Sequence, residues 1–575
     1  MHQGQVRVHA LEPGVLVLQF AQLRQVRHRH ARVLAFPFVI GRLAHAVLPA
    51  RLADFGAQLD LLEDGNDLAF TESGFLHVET PLVGILYCRP AQVSEGASRI
   101  IIYYADIQFN FQAVILCKER NEREAALRQT MESSQVSVRT IPEIFSKRSA
   151  CEAYLRIERE LASVQAEIGV VPDAAARAIG QCARIEFMEL DELDAQNQHT
   201  GYPIAPLVRQ IVGACGEHGR YVHWGATTQD ILNTALAMQA NEAFNLLAQD
   251  LRAIIARLAA LTNEHRDTLM VARTFGGHAL PITFGFKVAV WLSAGLRHAE
   301  RLEVFRRNPL EGEFAGAAGS LASLQGFGLQ VRRRLMARLG LPEPLITWGA
   351  MRDRVVERVM FLAALSGTLA KIGQDIAELA STEIGELAEP ISGGKDASST
   401  LPYKSNPVYC AQAAVAASRA AQYASTVLQS MRQHQERSAE GLLEFETVPQ
   451  VFLETHRCVD RVRMVLDGLR VYPGRMATNL GLTRGIILAE RYMMALAPYM
   501  GRLAAHDLLH EACKTAIERG MELSEVLGQT AEVTQFLDIE TLAYLGNPRT
   551  YLGDAPEMLD QVLAAAGRFL EERRS

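Results

Sequence analysis

Apolar residues recur at helical spacing over unusually long runs in this chain, roughly 229–265, 283–307, 352–388 and 407–438. Runs of roughly 25 to 37 residues far exceed the mean globular helix of about 11–12. Helices of that length persist mainly because neighbours bury an apolar stripe along them, not because of propensity. The pattern therefore predicts an all-α body built on a bundle of long, mutually packed helices. Shorter helical runs cover about 174–196, 203–216 and 449–469, with a C-terminal set after Pro473 near 484–500, 502–519, 523–530 and 555–573. A run from Ser149 carries Tyr154, Leu155, Leu161, Ala162, Val164 and Ile168 on one stripe, and Gly169 and Pro172 end it as helix stops do. Strand signals are nearly absent after residue 141.

At 575 residues the chain has room for several domains and a large core. A net charge of −7 argues against a nucleic-acid or anionic-membrane partner. Eight scattered cysteines without a CxxC pair suit reduced thiols in the cytoplasm, not a disulfide frame or a zinc site. No apolar stretch reaches the roughly 20 uncharged residues that span a bilayer; the nearest, 279–296, carries Lys287. The start lacks the basic lead and cleavage site of a signal peptide.

Residues 1–135 differ in kind. No lysine precedes Lys118, and five of the 16 histidines lie in the first fifty residues. The apolar runs 15–20, 33–40 and 100–104 have strand character, but no repeat links them. The stretch from Arg51 to Gly65 resembles translated insertion-element sequence. Three readings stay open: a small accessory domain, a poorly ordered extension, or an over-extended start, the last being favoured. The remainder divides into 136–245, a central bundle 246–470, and 471–575.

Three segments interrupt the helical body. His223-Trp-Gly-Ala-Thr-Thr-Gln-Asp230 leads into a helix, so Thr227 and Thr228 stand where free N–H groups and hydroxyls bind a carboxylate; simple N-capping is the alternative. In Arg273-Thr-Phe-Gly-Gly-His-Ala-Leu-Pro-Ile-Thr283, His278 is the side chain with a proton to exchange near neutral pH, or else a structural hydrogen-bonder. The third segment, 392–407, is too rich in Gly, Ser and Pro to continue either flanking helix. Seven of the 58 basic residues are lysines, and two of those, Lys395 and Lys404, fall in it. A serine beside such charge is open to activation, and Lys404 and Asn406 suit a developing negative charge. It is otherwise a polar connector. His434-Gln-Glu-Arg437 closes a long helical run and faces the same cavity or caps it. Arg332-Arg333-Arg334 reads as a solvated helix face.

Together these segments carry a resemblance. Ala397-Ser-Ser-Thr-Leu-Pro-Tyr-Lys-Ser-Asn-Pro407 resembles the signature loop of the fumarase/aspartase superfamily, Gly-Ser-Ser-x-Met-Pro-x-Lys-x-Asn-Pro. The other two segments resemble its first and second signature regions. Further agreements follow in order: Gly316-Ala-Ala-Gly-Ser320, Trp348 with Arg352-Asp353, Glu436-Arg437, Gly485 with Ala489-Glu490, and Gly501-Arg502 with Ala505-His506. The resemblance spans about 139–570. It implies a three-part all-helical subunit whose long helices assemble a homotetramer, each active site taking one region from each of three subunits. It implies addition or elimination next to a carboxylate of a small polycarboxylate, through a carbanion, with no metal and no cofactor. Ser398 would be the base, and Lys404 and Asn406 would stabilise the carbanion. The resemblance leaves the acid open; His278 is the choice for it, with His223 the other candidate. Thr227, Thr228, His223, Ser399 and Arg352 would hold substrate.

The departures choose a branch. Many members have His, then Gln two residues on, where this chain has Phe275 and Gly277, and a Glu pairing with that His where it has Ala411. Gly349 replaces a histidine common after Trp348, and Ala397 the loop's first glycine. Adenylosuccinate lyases normally keep the His–Glu pair, whereas 3-carboxy-cis,cis-muconate cycloisomerases, which serve aromatic degradation, normally lack it. Lactone formation expels no leaving group, so that branch is expected. An adenylosuccinate-lyase-like C–N lyase and a catalytically silent scaffold are the alternatives.

Overall fold

The computed structural model describes residues 139–390 and 404–571, together with five strands ahead of them. The chain divides into two compact units, Met1–Val138 and Arg139–Ser575. In the first, β1 (Val6–Glu12), β2 (Val15–Phe20), β3 (Phe75–Val78), β4 (Gly84–Tyr87) and β5 (Arg99–Tyr103) form one antiparallel sheet in the order β1-β2-β5-β4-β3. Two of the apolar runs noted above fall on β2 and β5; the third, 33–40, lies outside the described residues.

The second unit is helical, as expected. Its first part holds α1 (Lys147–Ile168), α2 (Asp173–Cys182), α3 (Leu190–Thr200) and α4 (Ile204–Cys215). Gly169 stops α1 in the left-handed conformation at φ 84°. The single run expected over 174–196 is two helices, α2 and α3. Then come α5 (Thr228–Glu264), a hairpin of β6 (Leu269–Thr274) and β7 (Gly277–Thr283), and α6 (Phe284–Arg307). After α7 (Gly328–Leu339), the bundle continues with α8 (Asp353–Leu379), the short β8 (Leu387–Ala388), α9 (Val408–Leu428) and α10 (Leu442–Asp467). β9 (Arg470–Val471) pairs antiparallel with β8, and α11 (Pro473–Gly481) opens a C-terminal group of shorter helices with its own core around Tyr492, Leu496 and Leu509.

Three expectations need correction. The run 352–388 ends at Leu379, because the following polar segment turns at Gly385, φ 61°. The run 407–438 ends at Leu428 and continues as tight turns. The helix expected from Pro449 begins at Leu442 and runs through that proline, a residue whose preference for first turns makes it look like a start. The hairpin was unforeseen. Its two-residue turn has positive φ at both Phe275 (51°) and Gly276 (79°), the geometry that matches strand twist, but with Phe where Asn or Asp usually signals it.

In the bundle, α9 packs on α8 and α10, and α5 on α6 and α10. Leu247, Leu251, Ile254 and Leu258 of α5 share one core with Leu362, Leu365 and Leu369 of α8 and Val459 and Val462 of α10. Successive members run in alternate directions, which gives the bundle two distinct ends. At one, Arg352 at the start of α8 bonds Asn233 of α5 and Glu444 of α10. At the other, Arg257 near the end of α5 donates to the Leu466 carbonyl of α10, and Gly285 of α6 donates to the His265 carbonyl.

Candidate active site

Glycine at 225 and a positive φ at His223 (59°) turn the chain sharply before α5, so that Thr227 caps it. Asp230, in the first turn, reaches back to the Thr227 N–H at 3.0 Å and across to the Ala315 and Gly316 N–H groups at 2.9 and 3.0 Å. One buried carboxylate thus ties the first signature region to the Gly316–Gly319 turn. Arg437 donates to the Thr227 hydroxyl at 3.2 Å and to the Ala317 carbonyl at 2.5 Å. These groups, with Glu313, Thr347 and Gly349, line a cavity of about 280 Å³. Of the His434–Arg437 segment, Gln435, Glu436 and Arg437 line this cavity.

Burial pushes Asp230 up to about 6, against the pull of its three backbone donors. Burial likewise raises Glu313, although Thr347 and the Trp348 N–H bond it. The wall behind the threonines is thus acidic but reluctant to ionise, and the open cation beside them is Arg437. Arg352 lies deeper, 1% exposed. Its guanidinium is bonded to Glu444, Asn233 and the Gly349 carbonyl and stacked on Trp348, so it braces the cavity from inside. His223 bonds the buried Glu158 of α1 through Nδ1 at 2.6 Å.

The second region stands at the opposite end. Arg273 grips Glu386 with both Nη atoms, at 3.0 and 2.6 Å, and Asn479 of α11 donates to the same carboxylate at 2.8 Å. Burial and the Arg273 guanidinium lower His278 below the ordinary histidine value, which keeps the imidazole neutral near physiological pH. Its Nδ1 is buried with no hydrogen-bond partner among the described residues. Phe275 is fully exposed at the hairpin tip. Lys287, one turn into α6, is lowered by burial despite Asp375 nearby.

The third region belongs to this same end. Glu386 precedes β8, and Glu389 just after it accepts the Tyr409 and Cys410 N–H groups at 3.1 and 2.6 Å, so the foot of the loop caps α9. Lys404 is exposed and Asn406 half-buried. Ser398 and Ser399 lie outside the described residues.

The two ends are far apart for a simple reason. α5 alone, 37 residues, separates the first region from the second. At 1.5 Å per residue it is about 55 Å long. Within one subunit, then, Thr227, Thr228, His223 and Arg352 gather at one end, and His278, Lys404 and Asn406 at the other.

Sequence reasoning missed Glu158, Glu313 and Glu386. Glu158 had a readable signal, since it occupies the apolar stripe of α1 between Leu155 and Leu161. Arg332, expected on a solvated face, is buried and paired with Glu343, while Arg333 and Arg334 are open. Among the described residues no group of His, Cys, Asp and Glu has the arrangement of a metal site, all six cysteines are free, and no helix is long and apolar enough to cross a membrane.

Residues 119–421 match the family described as Lyase, and residues 485–562 that described as Adenylosuccinate lyase C-terminus. The first match begins ahead of the boundary near 135 expected from composition. The 3-carboxy-cis,cis-muconate cycloisomerase of Pseudomonas aeruginosa is 39% identical over 73% of this chain and 93% of its own. The N-acetyl-S-(2-succino)cysteine lyase of Dickeya dadantii is 34% identical over 74% of this chain and 93% of its own. Among solved structures, a fumarate lyase from Mesorhizobium sp. BNC1 is 41% identical, with a TM-score of 0.68 over 75% of this chain and 99% of its own.

Proposed function

The chain belongs to the fumarase/aspartase superfamily and is an enzyme of its lyase and cycloisomerase class, and we propose that its reaction is the cycloisomerisation of a small polycarboxylate such as 3-carboxy-cis,cis-muconate. The observation that carries this reading is at the hairpin tip. The position where many relatives keep a proton-donating histidine holds the exposed Phe275, and its usual glutamate partner is Ala411. His278, held neutral, is a poor source of a proton for a departing amine.

Lactone formation needs no such donor. One carboxylate oxygen bonds to a double-bond carbon, and the π pair moves onto the carbon beside a second carboxylate. A proton then reaches that carbon, so no atom leaves. In the reverse direction Ser398 takes that proton, and forward it returns it. Lys404 and Asn406 stabilise the enediolate charge, His278 contacts substrate, and Ser399 contacts substrate from the same loop. Thr227, Thr228 and His223 bind carboxylate, with Arg352 bracing them. The length of α5, about 55 Å, between the two groups supports a site shared between subunits, for which we propose a homotetramer, and the free cysteines support a cytoplasmic setting.

A second reading, a C–N or C–S lyase, draws on the match to the adenylosuccinate lyase C-terminus and on the succinocysteine lyase relative. Purified enzyme assayed on 3-carboxy-cis,cis-muconate, adenylosuccinate and N-acetyl-S-(2-succino)cysteine separates the two. Turnover of the first alone supports the cycloisomerase; turnover of either succinyl compound with none of the muconate overturns it.

A further inference from the structure

Glu158 is 1% exposed, yet no arginine or lysine pairs with it among the described residues; its one ionic partner is His223. Its second oxygen, Oε2, is buried with no hydrogen bond among the described residues. A carboxylate so placed is costly unless a cation sits against it. His223 is held in turn. Its φ of 59° belongs to a region that non-glycine residues occupy rarely and often for function. Seven residues along the same face of α1, the buried Gln165 donates to the Trp224 carbonyl at 2.7 Å. Two buried polar side chains of one helix therefore pin the strained His223 and its neighbour Trp224, which lead into the threonine site. Nothing among the described residues bonds His223 Nε2.

We infer that Glu158 is a positioning residue for the carboxylate site: it holds His223 as an imidazolium, with Nδ1–H bonded to the buried carboxylate and Nε2–H offered to a substrate carboxylate. This rests on the reading of the first region as a carboxylate site. Electrostatics agree with the geometry. Burial works against protonation of His223, but the hydrogen bond and charge of Glu158, with Asp230 behind it, outweigh burial and raise the imidazole above the ordinary 6.5. The other charged groups on this wall are Glu313, Glu436 and Arg437. Glu158 and His223 thus restore to the site, from the first region, a histidine–carboxylate pair of the kind that Phe275 and Ala411 remove from the second and third.

The test reads His223 directly, through the pH dependence of its carbethoxylation by diethylpyrocarbonate, followed by peptide mass spectrometry on the whole enzyme. Only the neutral imidazole reacts. In the wild type the midpoint is expected above 6.5; a midpoint at or below that value overturns the inference without any variant. In Glu158→Gln the midpoint is expected to fall by about one pH unit or more, in Glu158→Asp to fall less, and an unchanged midpoint in Glu158→Gln overturns it. Calorimetry with tricarballylate, which cannot react, supplies the second arm. Wild-type binding is expected to weaken as pH rises through the His223 midpoint, and Glu158→Gln to bind about tenfold more weakly at pH 7. A shifted midpoint with no tricarballylate binding in the wild type overturns the carboxylate reading while leaving the pair. Binding with no shift overturns the pair alone.

Discussion

Arg273 and Glu386 form a two-pronged ion pair, at 3.0 and 2.6 Å, in which the carboxylate is wholly buried. It joins the hairpin of the second region to the foot of the third, tying together two segments more than a hundred residues apart. Glu386→Ala leaves a buried guanidinium unpaired and is expected to cost about 3–5 kcal/mol. The double variant with Arg273→Ala should cost less than the two single losses added together, as coupled neighbours do. Denaturant unfolding of the four proteins checks this; additive losses would show the pair to be uncoupled.

Ser398→Ala is expected to lower turnover by about a thousandfold or more, since it removes the group proposed to carry the proton. The oligomer's mass in light scattering should not change. Near wild-type turnover would remove Ser398 from the mechanism.

The length of α5 makes a subunit-mixing experiment decisive. Thr228→Ala and Lys404→Ala change opposite ends of the subunit, and each alone is expected to lose most activity. Unfolded together and refolded at equal ratio, they should recover about a quarter of wild-type turnover, because sites drawing the two ends from different subunits are intact at random. No recovery would place both residues' contributions within one chain.

Asp230 gives a pH dependence with a definite sign. Its pKa is raised to about 6 in the folded protein from an ordinary 3.8. The native state therefore holds that proton more tightly, and the group's contribution to stability is full below about 3.8 and lost as pH rises through about 6. Asp230→Asn does not titrate, so the wild type's advantage in melting temperature should shrink between those values. An advantage that grows with pH would contradict the assignment. The variant should still be the less stable protein, since its amide NH₂ faces a backbone N–H that needs an acceptor, at about 1–3 kcal/mol.

Residues ahead of the family match are expected to be dispensable. Removal of residues 1–118 should leave turnover and oligomer mass within about twofold of the full chain, since the family match begins at residue 119. Failure of the shortened protein to fold would make the first unit part of the enzyme.

The helices, their caps and the three interruptions were legible in the chain because each depends on residues within a turn or two. Gly169 ends α1, Pro407 precedes α9, and the stripe of α5 declares a bundle helix over 37 residues. The exposed Phe275 and the Ala411 substitution were equally plain, since they are matters of identity. Packing decided the rest. That Thr227 and His278 stand at opposite ends follows from the helix of about 55 Å between them, but that Arg352 is spent on Glu444 follows from how α8 meets α10. Glu158 reads locally as one acid on an amphipathic helix; only the meeting of α1 with the turn before α5 gives it His223. Local periodicity fixes which residues face inward, whereas the partner a buried charge finds depends on elements distant in sequence, and the chemistry at both ends of this bundle rests on such partners.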